Sequence, residues 1–379
     1  MQVENFVKIL GSDFYAGVPD SQLKALCNYL INEYGIDGKH HIIAANEGNA
    51  TALAAGYHLA TGNIPVVYMQ NSGEGNIINP VASLMNDKVY AIPCIFIIGW
   101  RGEPGVHDEP QHIYQGQVTL KLLDDMNIAS FVVSKQTTED KLNEIMIKFR
   151  SLLANGKQVA FVIQKEALEY YKKVEYHNNY SMKREDIIKH IVEITDDDII
   201  ISTTGKASRE LFEIRENNNQ SHETDFLTVG SMGHSSSIAL EIALQKPNKK
   251  IWIIDGDGSC LMHMGSMALI GYNSPRNLIH IVINNGSHET VGGQPTVANK
   301  INFTKIALAC GYKNAYSIKT FSELDNILIK VKKQNELCFL EITSALGSRA
   351  NLGRPTQSPK RNKMNFMSYL TSTYTNFIE

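Results

Sequence analysis

The sequence has 379 residues, which corresponds to two or three domains at about 150 residues per domain. Its net charge of -3 and its 20% content of charged residues give no strongly basic surface, so we expect neither nucleic acid nor a membrane as a partner. Five scattered cysteines without a Cys-x-x-Cys pair, and the absence of a basic and apolar leader, favour a cytoplasmic protein with reduced thiols.

The first half of the chain alternates short β-branched runs with segments of helical spacing. In chain order, the predicted strands are residues 42–45, 66–69, 95–98, 131–134 and 159–163. Helical spacing is clearest in residues 50–59 and 141–153. Strands that alternate with helices in this way predict a parallel sheet that is covered by helices on both faces.

The second half repeats this pattern after a polar segment. Residues 171–184 have no clear period, and we interpret them as a linker. The predicted strands that follow are residues 198–202, 251–254, 279–283 and 339–342. The sequence therefore predicts an α/β protein with two doubly wound parallel-sheet domains, residues 1–170 and residues 185–379.

A carboxylate and an amide follow two successive strands of the second half. Asp257 comes directly after the first of these strands, between two glycines, and Asn285 ends the next one. Because the carboxyl ends of parallel strands meet at one edge of a sheet, we expect the two side chains to converge. Their side-chain oxygens are the type of ligand that Mg²⁺ uses when it also binds phosphate groups. The glycines allow the backbone to approach a diphosphate, and the helix after Ser259 directs its N-terminal N–H groups at it.

Gly-Asp-Gly at residues 256–258, followed by Asn-Asn at residues 284–285, resembles the diphosphate-binding signature of thiamine diphosphate enzymes. The resemblance implies two domains of the thiamine diphosphate-binding type, with thiamine diphosphate and Mg²⁺ as cofactors. By this resemblance the metal ligands are Asp257, the side chain of Asn285 and the carbonyl of Ser287, and further cofactor contacts come from Gly256, Gly258 and Ser259. A plain turn is the alternative, which the flanking strand–helix–strand pattern disfavours.

Two further positions complete the resemblance. Glu47 opens a helix of small residues, and the resemblance implies that it is the catalytic acid that hydrogen-bonds the aminopyrimidine ring of the cofactor. The turn that contains Gly230, Ser231 and Met232 is implied to bind the cofactor, with Met232 as an apolar support. Taken alone, Glu47 is more simply a helix-start glutamate favoured by the helix dipole, and Met232 is more simply a core residue.

The resemblance also implies an assembly and narrows the type of enzyme. In this family the pyrimidine-binding domain of one subunit faces the diphosphate-binding domain of another, which implies a homo-oligomer, at least a dimer, with sites at the subunit interface. The chain lacks the central third domain of longer decarboxylases and is similar to the two-domain phosphonopyruvate and sulfopyruvate decarboxylases. The most diagnostic stretch is residues 101–112, with Arg-Gly-Glu-Pro-Gly and Asp-Glu-Pro-Gln-His.

The resemblance implies a small anionic 2-oxo acid as substrate. The expected reaction is the decarboxylation of 3-phosphonopyruvate to phosphonoacetaldehyde and CO₂, a step of phosphonate biosynthesis. Arginine forks suit a phosphonate, and histidines can donate protons. The candidate substrate contacts are Asp20, Ser21, Arg101, His107, His112, His288, Arg349 and Arg354. Each arginine is interpreted equally well as a solvated loop charge, and each histidine as a loop or core residue.

Three alternatives remain open at this point. A sulfopyruvate decarboxylase, or another thiamine diphosphate-dependent decarboxylase or ligase, would carry the same motifs. A cofactor-binding protein without turnover is argued against by the joint presence of Glu47, Asp257 and Asn285. A nucleotide-binding protein is disfavoured because no Gly-x-Gly-x-x-Gly or Walker loop follows a strand at the expected place. The final proton donor stays unassigned.

Overall fold

The computed structural model describes residues 1–291 and 293–372. Gly292, and residues 373–379 at the end of the second predicted domain, lie outside the described residues. The chain forms two compact units: unit 1 comprises Met1–Tyr176 and Thr290–Pro295, and unit 2 comprises His177–Glu289 and the described residues from Thr296 onward. The chain leaves unit 1 after Tyr176, inside the predicted linker 171–184, and the exact domain limits stay a prediction.

Unit 1 is built on a six-stranded parallel sheet with the order β2-β1-β3-β4-β6-β5. Its strands are β1 (Tyr15–Gly17), β2 (His41–Ile43), β3 (Val66–Gln70), β4 (Cys94–Gly99), β5 (Ala129–Val133) and β6 (Gln158–Ile163). Its helices are α1 (Val3–Leu10), α2 (Lys24–Tyr34), α3 (Glu47–Thr61), α4 (Glu74–Asn79), α5 (Pro110–Asp125) and α6 (Glu139–Ala154), with shorter helical turns at Asn71–Gly73 and Pro80–Met85.

Unit 2 repeats this architecture with the strand order β11-β12-β10-β9-β7-β8. Its strands are β7 (Ile199–Ser202), β8 (Asp225–Leu227), β9 (Ile251–Gly256), β10 (Leu278–Asn284), β11 (Asn314–Ile318) and β12 (Cys338–Thr343), and two-residue strand segments lie at Ser287–His288 and Gln294–Pro295. Its helices are α7 (Arg184–Thr195), α8 (Lys206–Asn217), α9 (Ser235–Gln245), α10 (Asp257–Met262), α11 (Gly265–Asn273), α12 (Phe303–Cys310), α13 (Phe321–Lys333) and α14 (Pro359–Ser372), with short turns at Glu289–Val291 and Val297–Lys300.

Each sheet has a hydrophobic core on both faces, which explains its long apolar strands. Along β3, Val66 and Tyr68 belong to one core of unit 1, whereas Val67 and Met69 belong to the other. Successive side chains of a strand point to opposite faces, so a strand that is covered on both sides must be apolar throughout. The predicted α/β class with two doubly wound sheets is therefore confirmed.

The register of unit 2 brings together the ends of its two central strands. β9 and β10 are parallel neighbours, and Gly256 lies opposite Ile283. Asp257 and Asn285 consequently follow the carboxyl ends of adjacent strands, at the edge where sheets of this type bind ligands. Among the helices in the described ranges, none has both the length and the apolar character of a membrane span.

A buried ion pair in unit 2 gives a test of the fold. The Arg215 guanidinium on α8 donates to both carboxylate oxygens of Asp225 at 3.0 Å, and both side chains are at most 2% exposed. Arg215→Met leaves the Asp225 carboxylate buried without its counter-charge, so we expect the free energy of unfolding to fall by about 3–5 kcal/mol in urea titrations. Lys135→Met, which breaks the exposed Lys135–Glu166 pair, should cost about 1 kcal/mol or less, and equal losses would contradict this assignment.

Candidate active site

Asp257 is a buried carboxylate at the start of α10. Its side chain is 3% exposed, and the Thr296 hydroxyl donates to its Oδ2 at 2.5 Å. Burial raises the pKa of Asp257 to about 6, although Thr296 and the backbone N–H groups of Gly258 and Asn285 favour the ionised form. A bound cation would offset the cost of keeping this negative charge away from water.

Asn285 and Ser287 supply further oxygen atoms beside this carboxylate. The Asn285 amide donates from Nδ2 to Glu289 and accepts the Ser287 backbone N–H on Oδ1, both at 3.0 Å. The Ser287 hydroxyl is buried, and no side chain or backbone group of the described chain bonds to it. Hard oxygens and an orphaned polar atom at one sheet edge fit Mg²⁺, so the donor set is compatible with the predicted ligands.

The backbone at Gly258 lies close to the ring of His288. A Cβ added at Gly258 would lie 3.1 Å from the His288 ring, which is closer than an ordinary van der Waals contact. A glycine at this position therefore allows the helix start and the ring to pack closely. Burial lowers the pKa of His288 to about 4. The imidazole is therefore neutral near pH 7, which makes it a hydrogen-bond donor or acceptor but not a cation for an anionic substrate.

The predicted support turn is held to α10 by Ser259. Gly233 N–H donates to the Ser259 hydroxyl at 3.0 Å, and the Thr203 hydroxyl donates to the same oxygen at 2.9 Å. Within the turn, Gly230 has φ +66° and Ser231 has φ +42°, a left-handed conformation that is costly for a serine. Ser259 thus fixes the turn that carries the half-buried Met232.

Glu47 lies at the corresponding edge of unit 1, at the end of the short connection from β2 to α3. It begins α3 and is 5% exposed, and Asn76 donates to its Oε2 at 2.6 Å. A Cβ added at Gly73 would lie 2.5 Å from the Glu47 side chain. The segment from Gly73 to Asn76 therefore forms a close-fitting wall that fixes the position of the Glu47 carboxylate.

Asp20, Ser21 and Arg101 are brought together at the same edge of unit 1. The Arg101 fork donates to Asp108 at 2.7 and 2.5 Å, and its Nη1 donates to the Ser21 hydroxyl at 3.1 Å. Asp20 is fully buried and accepts from Gln70 at 2.6 Å. Burial raises the pKa of Asp20, although Gln70 and Arg101 favour the ionised form.

The other substrate candidates lie in three different places. His107 is exposed in the loop before α5, and His112 is partly buried within the first turn of α5. In unit 2, Arg349 pairs with Glu185 at 2.9 Å and with Glu213, and Arg354 is exposed in the same segment. The guanidinium of Arg349 is thus already neutralised by two carboxylates, whereas Arg101 has one carboxylate partner among its described ion pairs.

Sequence reasoning missed two glutamates near these sites. Glu289 contacts Asn285 and is held by Arg184 and Lys206. Glu74 is fully buried one residue after Gly73, and burial raises its pKa to about 8, although Thr119 and Gln115 favour the ionised form. A glutamate among glycines at a helix start looks like a surface residue, so only the fold reveals its burial.

A third polar cluster lies beneath the sheet edge of unit 2. Ligand atoms of Asp255, Cys260 and His280 lie within 4.8 Å of one another, and all three residues are buried. Asp255 Oδ2 and His280 Nε2 are 3.7 Å apart, and neither atom has a hydrogen-bond partner within the described ranges. The two groups face each other, so we interpret them as a buried acid–imidazole pair that supports β9 and β10.

Comparison with known proteins identifies the family. The thiamine pyrophosphate enzyme N-terminal TPP binding domain matches residues 3–128, and the corresponding C-terminal TPP binding domain matches residues 203–342. A phosphonopyruvate decarboxylase of Streptomyces viridochromogenes is 32% identical over 382 residues, which cover 96% of this chain and 92% of that protein. The chain belongs to the phosphonopyruvate decarboxylase family of thiamine pyrophosphate enzymes. The predicted family and enzyme class are confirmed.

Sulfopyruvate decarboxylases are related to the same family. The enzyme of Methanosarcina acetivorans is 26% identical over 362 residues, which cover 90% of each chain. Sulfopyruvate decarboxylase subunit alpha of Methanococcus maripaludis is 35% identical over 158 residues, or 42% of this chain and 88% of that subunit. The match to this subunit therefore covers less than half of this chain, which itself forms two compact units.

Glu74 gives a pH-dependent prediction. The folded chain holds a proton on Glu74 up to about pH 8, whereas the unfolded chain releases it near pH 4.5. Because the folded pKa is the higher one, the stabilising effect is present at low pH and is lost as pH rises through this window. Glu74→Gln removes the titration, so the variant should become more stable than the wild type by roughly 2–4 kcal/mol near pH 8.5.

The measurement is urea unfolding of both proteins across this pH range. The difference in free energy of unfolding should shrink steadily as the pH falls and disappear below about pH 4.5, where Glu74 is protonated in both the folded and the unfolded chain. Glu166→Gln changes an exposed glutamate and serves as the matched control. A constant difference at all pH values would show that Glu74 is ionised in the folded protein.

Proposed function

We propose that the chain decarboxylates 3-phosphonopyruvate to phosphonoacetaldehyde and CO₂ with thiamine diphosphate and Mg²⁺, as a step of phosphonate biosynthesis. The observation that carries the proposal is the burial of the Asp257 carboxylate beside Asn285 at the ends of β9 and β10. Such a donor set suits a metal-bound diphosphate, and the similarity to a phosphonopyruvate decarboxylase extends over 96% of the chain.

The roles of the site residues follow from their chemistry. Asp257, Asn285 and the Ser287 carbonyl would hold Mg²⁺, and the backbone at Gly256 and Gly258 would allow the diphosphate to approach. When bound, thiamine diphosphate supplies a nucleophilic carbon and accepts the electrons released with CO₂.

On the pyrimidine side, Glu47 would hold a proton at a ring nitrogen of the cofactor, in a position fixed by Asn76 and by the close backbone of Gly73. Met232 would pack against the cofactor from the turn that Ser259 secures. These roles assign positions to the side chains and leave the carbon chemistry to the cofactor.

Arg101 is the cation that we propose for the phosphonate. Asp20 and Ser21 follow β1, Glu47 follows β2 and Arg101 follows β4. These three strands belong to the run β2-β1-β3-β4 of one parallel sheet. Their carboxyl ends therefore share one edge, which places Arg101 on the same side of the sheet as Glu47. Asp108 holds Nε and Nη2 of Arg101, whereas Nη1 donates only to the Ser21 hydroxyl among the bonds described above, and a guanidinium donor of this kind suits a phosphonate.

A sulfopyruvate decarboxylase is the second candidate, and the relative from Methanosarcina acetivorans supports it. A phosphonate group carries more negative charge than a sulfonate group near neutral pH. A comparison of phosphonopyruvate and sulfopyruvate as substrates therefore distinguishes the two candidate activities. We expect CO₂ release from phosphonopyruvate that requires both thiamine diphosphate and Mg²⁺, and little release from sulfopyruvate at the same concentration. A kcat/KM that is equal or higher for sulfopyruvate would contradict the proposed substrate.

We also propose that the chain is a homo-oligomer in which Glu47 of one subunit and Asp257 of another act on the same cofactor. Glu47→Gln and Asp257→Asn should each lower kcat by about 10²–10⁴ or more because one end of the cofactor loses its ligand. Co-expression of the two variants should restore about one quarter of wild-type activity if a dimer assembles at random with sites made from two chains.

The result is decisive because a site made within one chain gives a different outcome. Each co-expressed chain would then carry a defect of its own, and activity would stay at the level of the single variants. Co-expression of Glu47→Gln with a Glu47→Gln chain that bears a different affinity tag is the matched control. Recovery in the mixed sample but not in the control supports the proposed assembly.

A further inference from the structure

Glu289 accepts hydrogen bonds from three side chains of unit 2. Asn285 Nδ2 donates to Oε2 at 3.0 Å, Arg184 Nη1 donates to Oε2 at 2.9 Å, and Lys206 Nζ donates to Oε1 at 2.7 Å. The Glu289 side chain is 11% exposed. Two cations therefore hold it as a carboxylate, and a carboxylate can only accept hydrogen bonds.

This contact fixes the orientation of the Asn285 amide. An amide has a donating NH₂ end and an accepting oxygen end that are nearly equal in shape. Because the Glu289 carboxylate accepts only, the NH₂ end must face it, and Oδ1 must face the opposite side. Oδ1 there accepts one N–H, from Ser287 at 3.0 Å, and an amide oxygen has a second lone pair for a cation.

The Glu289 carboxylate is itself held in a rigid frame. Arg184 binds Glu210 through a two-bond fork at 2.7 and 2.8 Å, and the Glu210 side chain is 1% exposed. Arg184, Lys206, Glu210 and Glu289 contribute two positive and two negative charges, so the network is balanced without a metal ion. Glu289 is thus free to serve as an acceptor for Asn285 rather than as a metal ligand.

We propose that Glu289 is a positioning residue that keeps Oδ1 of Asn285, rather than its NH₂ group, directed at the Mg²⁺ of the diphosphate site. The inference rests on the proposed function, since it assigns a role relative to that metal. A rotated amide would direct donor hydrogens at a cation and lose the ligand. Outer partners of metal ligands commonly contribute 10–100-fold to metal affinity, and we expect a loss of about this size when Glu289 changes.

The test is Mn²⁺ binding to the full-length chain in the presence of thiamine diphosphate, followed by electron paramagnetic resonance. In Glu289→Gln the new side chain can donate as well as accept, so the Ser287 backbone N–H is the one contact left that favours the native orientation of the Asn285 amide among the contacts described above. We expect the Mn²⁺ dissociation constant to rise about 10–100-fold, while kcat at saturating Mn²⁺ recovers towards the wild-type value.

Lys206→Met is the matched control because it removes another partner of Glu289 and leaves the contact with Asn285. If Glu289 acted only through its ion pairs, Lys206→Met and Glu289→Gln would weaken Mn²⁺ binding equally. The positioning role predicts that Lys206→Met changes the dissociation constant by about threefold or less, within the usual scale of a partly exposed ion pair. Equal weakening in both variants would overturn the proposal.

A reciprocal exchange adds a second readout. In N285D/E289Q the introduced amide donates to the introduced carboxylate, whose other oxygen faces the metal, so binding should be tighter than in E289Q. In N285D alone two carboxylates face each other, and Mn²⁺ should bind less tightly than in the double variant. A double variant that folds with wild-type thermal stability and binds no better than either single variant would contradict the positioning role.

Mn²⁺ binding by the wild-type chain distinguishes a failure of the proposed function from a failure of the proposed role of Glu289. Failure of the wild-type chain to bind Mn²⁺ together with thiamine diphosphate would overturn the proposed function itself. Tight binding by the wild type and unchanged binding by Glu289→Gln would overturn only the role of Glu289.

Discussion

The buried carboxylate of Asp257 is the constraint on which the site of unit 2 depends. Keeping a negative charge out of water is unfavourable, as its raised pKa of about 6 shows. The Thr296 hydroxyl and nearby backbone N–H groups offset part of this cost, and a cation would offset the rest. Adjacent parallel strands bring Asn285 to the same edge. The sheet therefore buries the Asp257 carboxylate and also places a second ligand for the cation beside it.

Both units use the carboxyl edge of a parallel sheet in the same way. In unit 1, Glu47, Asp20 and Arg101 follow different strands and are placed at one edge by the strand order alone. Neighbouring helical segments then fix these side chains: Gly73 and Asn76 contact Glu47, and Ser259 on α10 secures the turn of Met232. The chemistry is therefore carried by residues in the connections and helix starts that follow the strands, and the rigid sheets determine where these segments lie.

The sequence predicts a structural feature when its residue pattern has one physical cause. It does not predict the feature when the same pattern fits several structures. Long apolar strands such as β4 and β10 were predicted because both of their faces are buried. The strands β1, β8 and β11 were missed because they are short or partly exposed and lack an apolar run. The motif around Asp257 and Asn285 predicted a shared edge, but the partners of Arg349, and the burial of Glu74 and Glu289, depend on contacts distant in sequence.

Calorimetric titration of the chain with thiamine diphosphate tests the central claim most directly. With Mg²⁺ present, we predict saturable binding that approaches one cofactor per chain, and Asp257→Asn should abolish the dependence on the metal. Without Mg²⁺, binding should be much weaker because the diphosphate would face the Asp257 carboxylate directly. Saturable binding that is equally tight without a divalent ion, or no binding at all with Mg²⁺ present, would contradict the account.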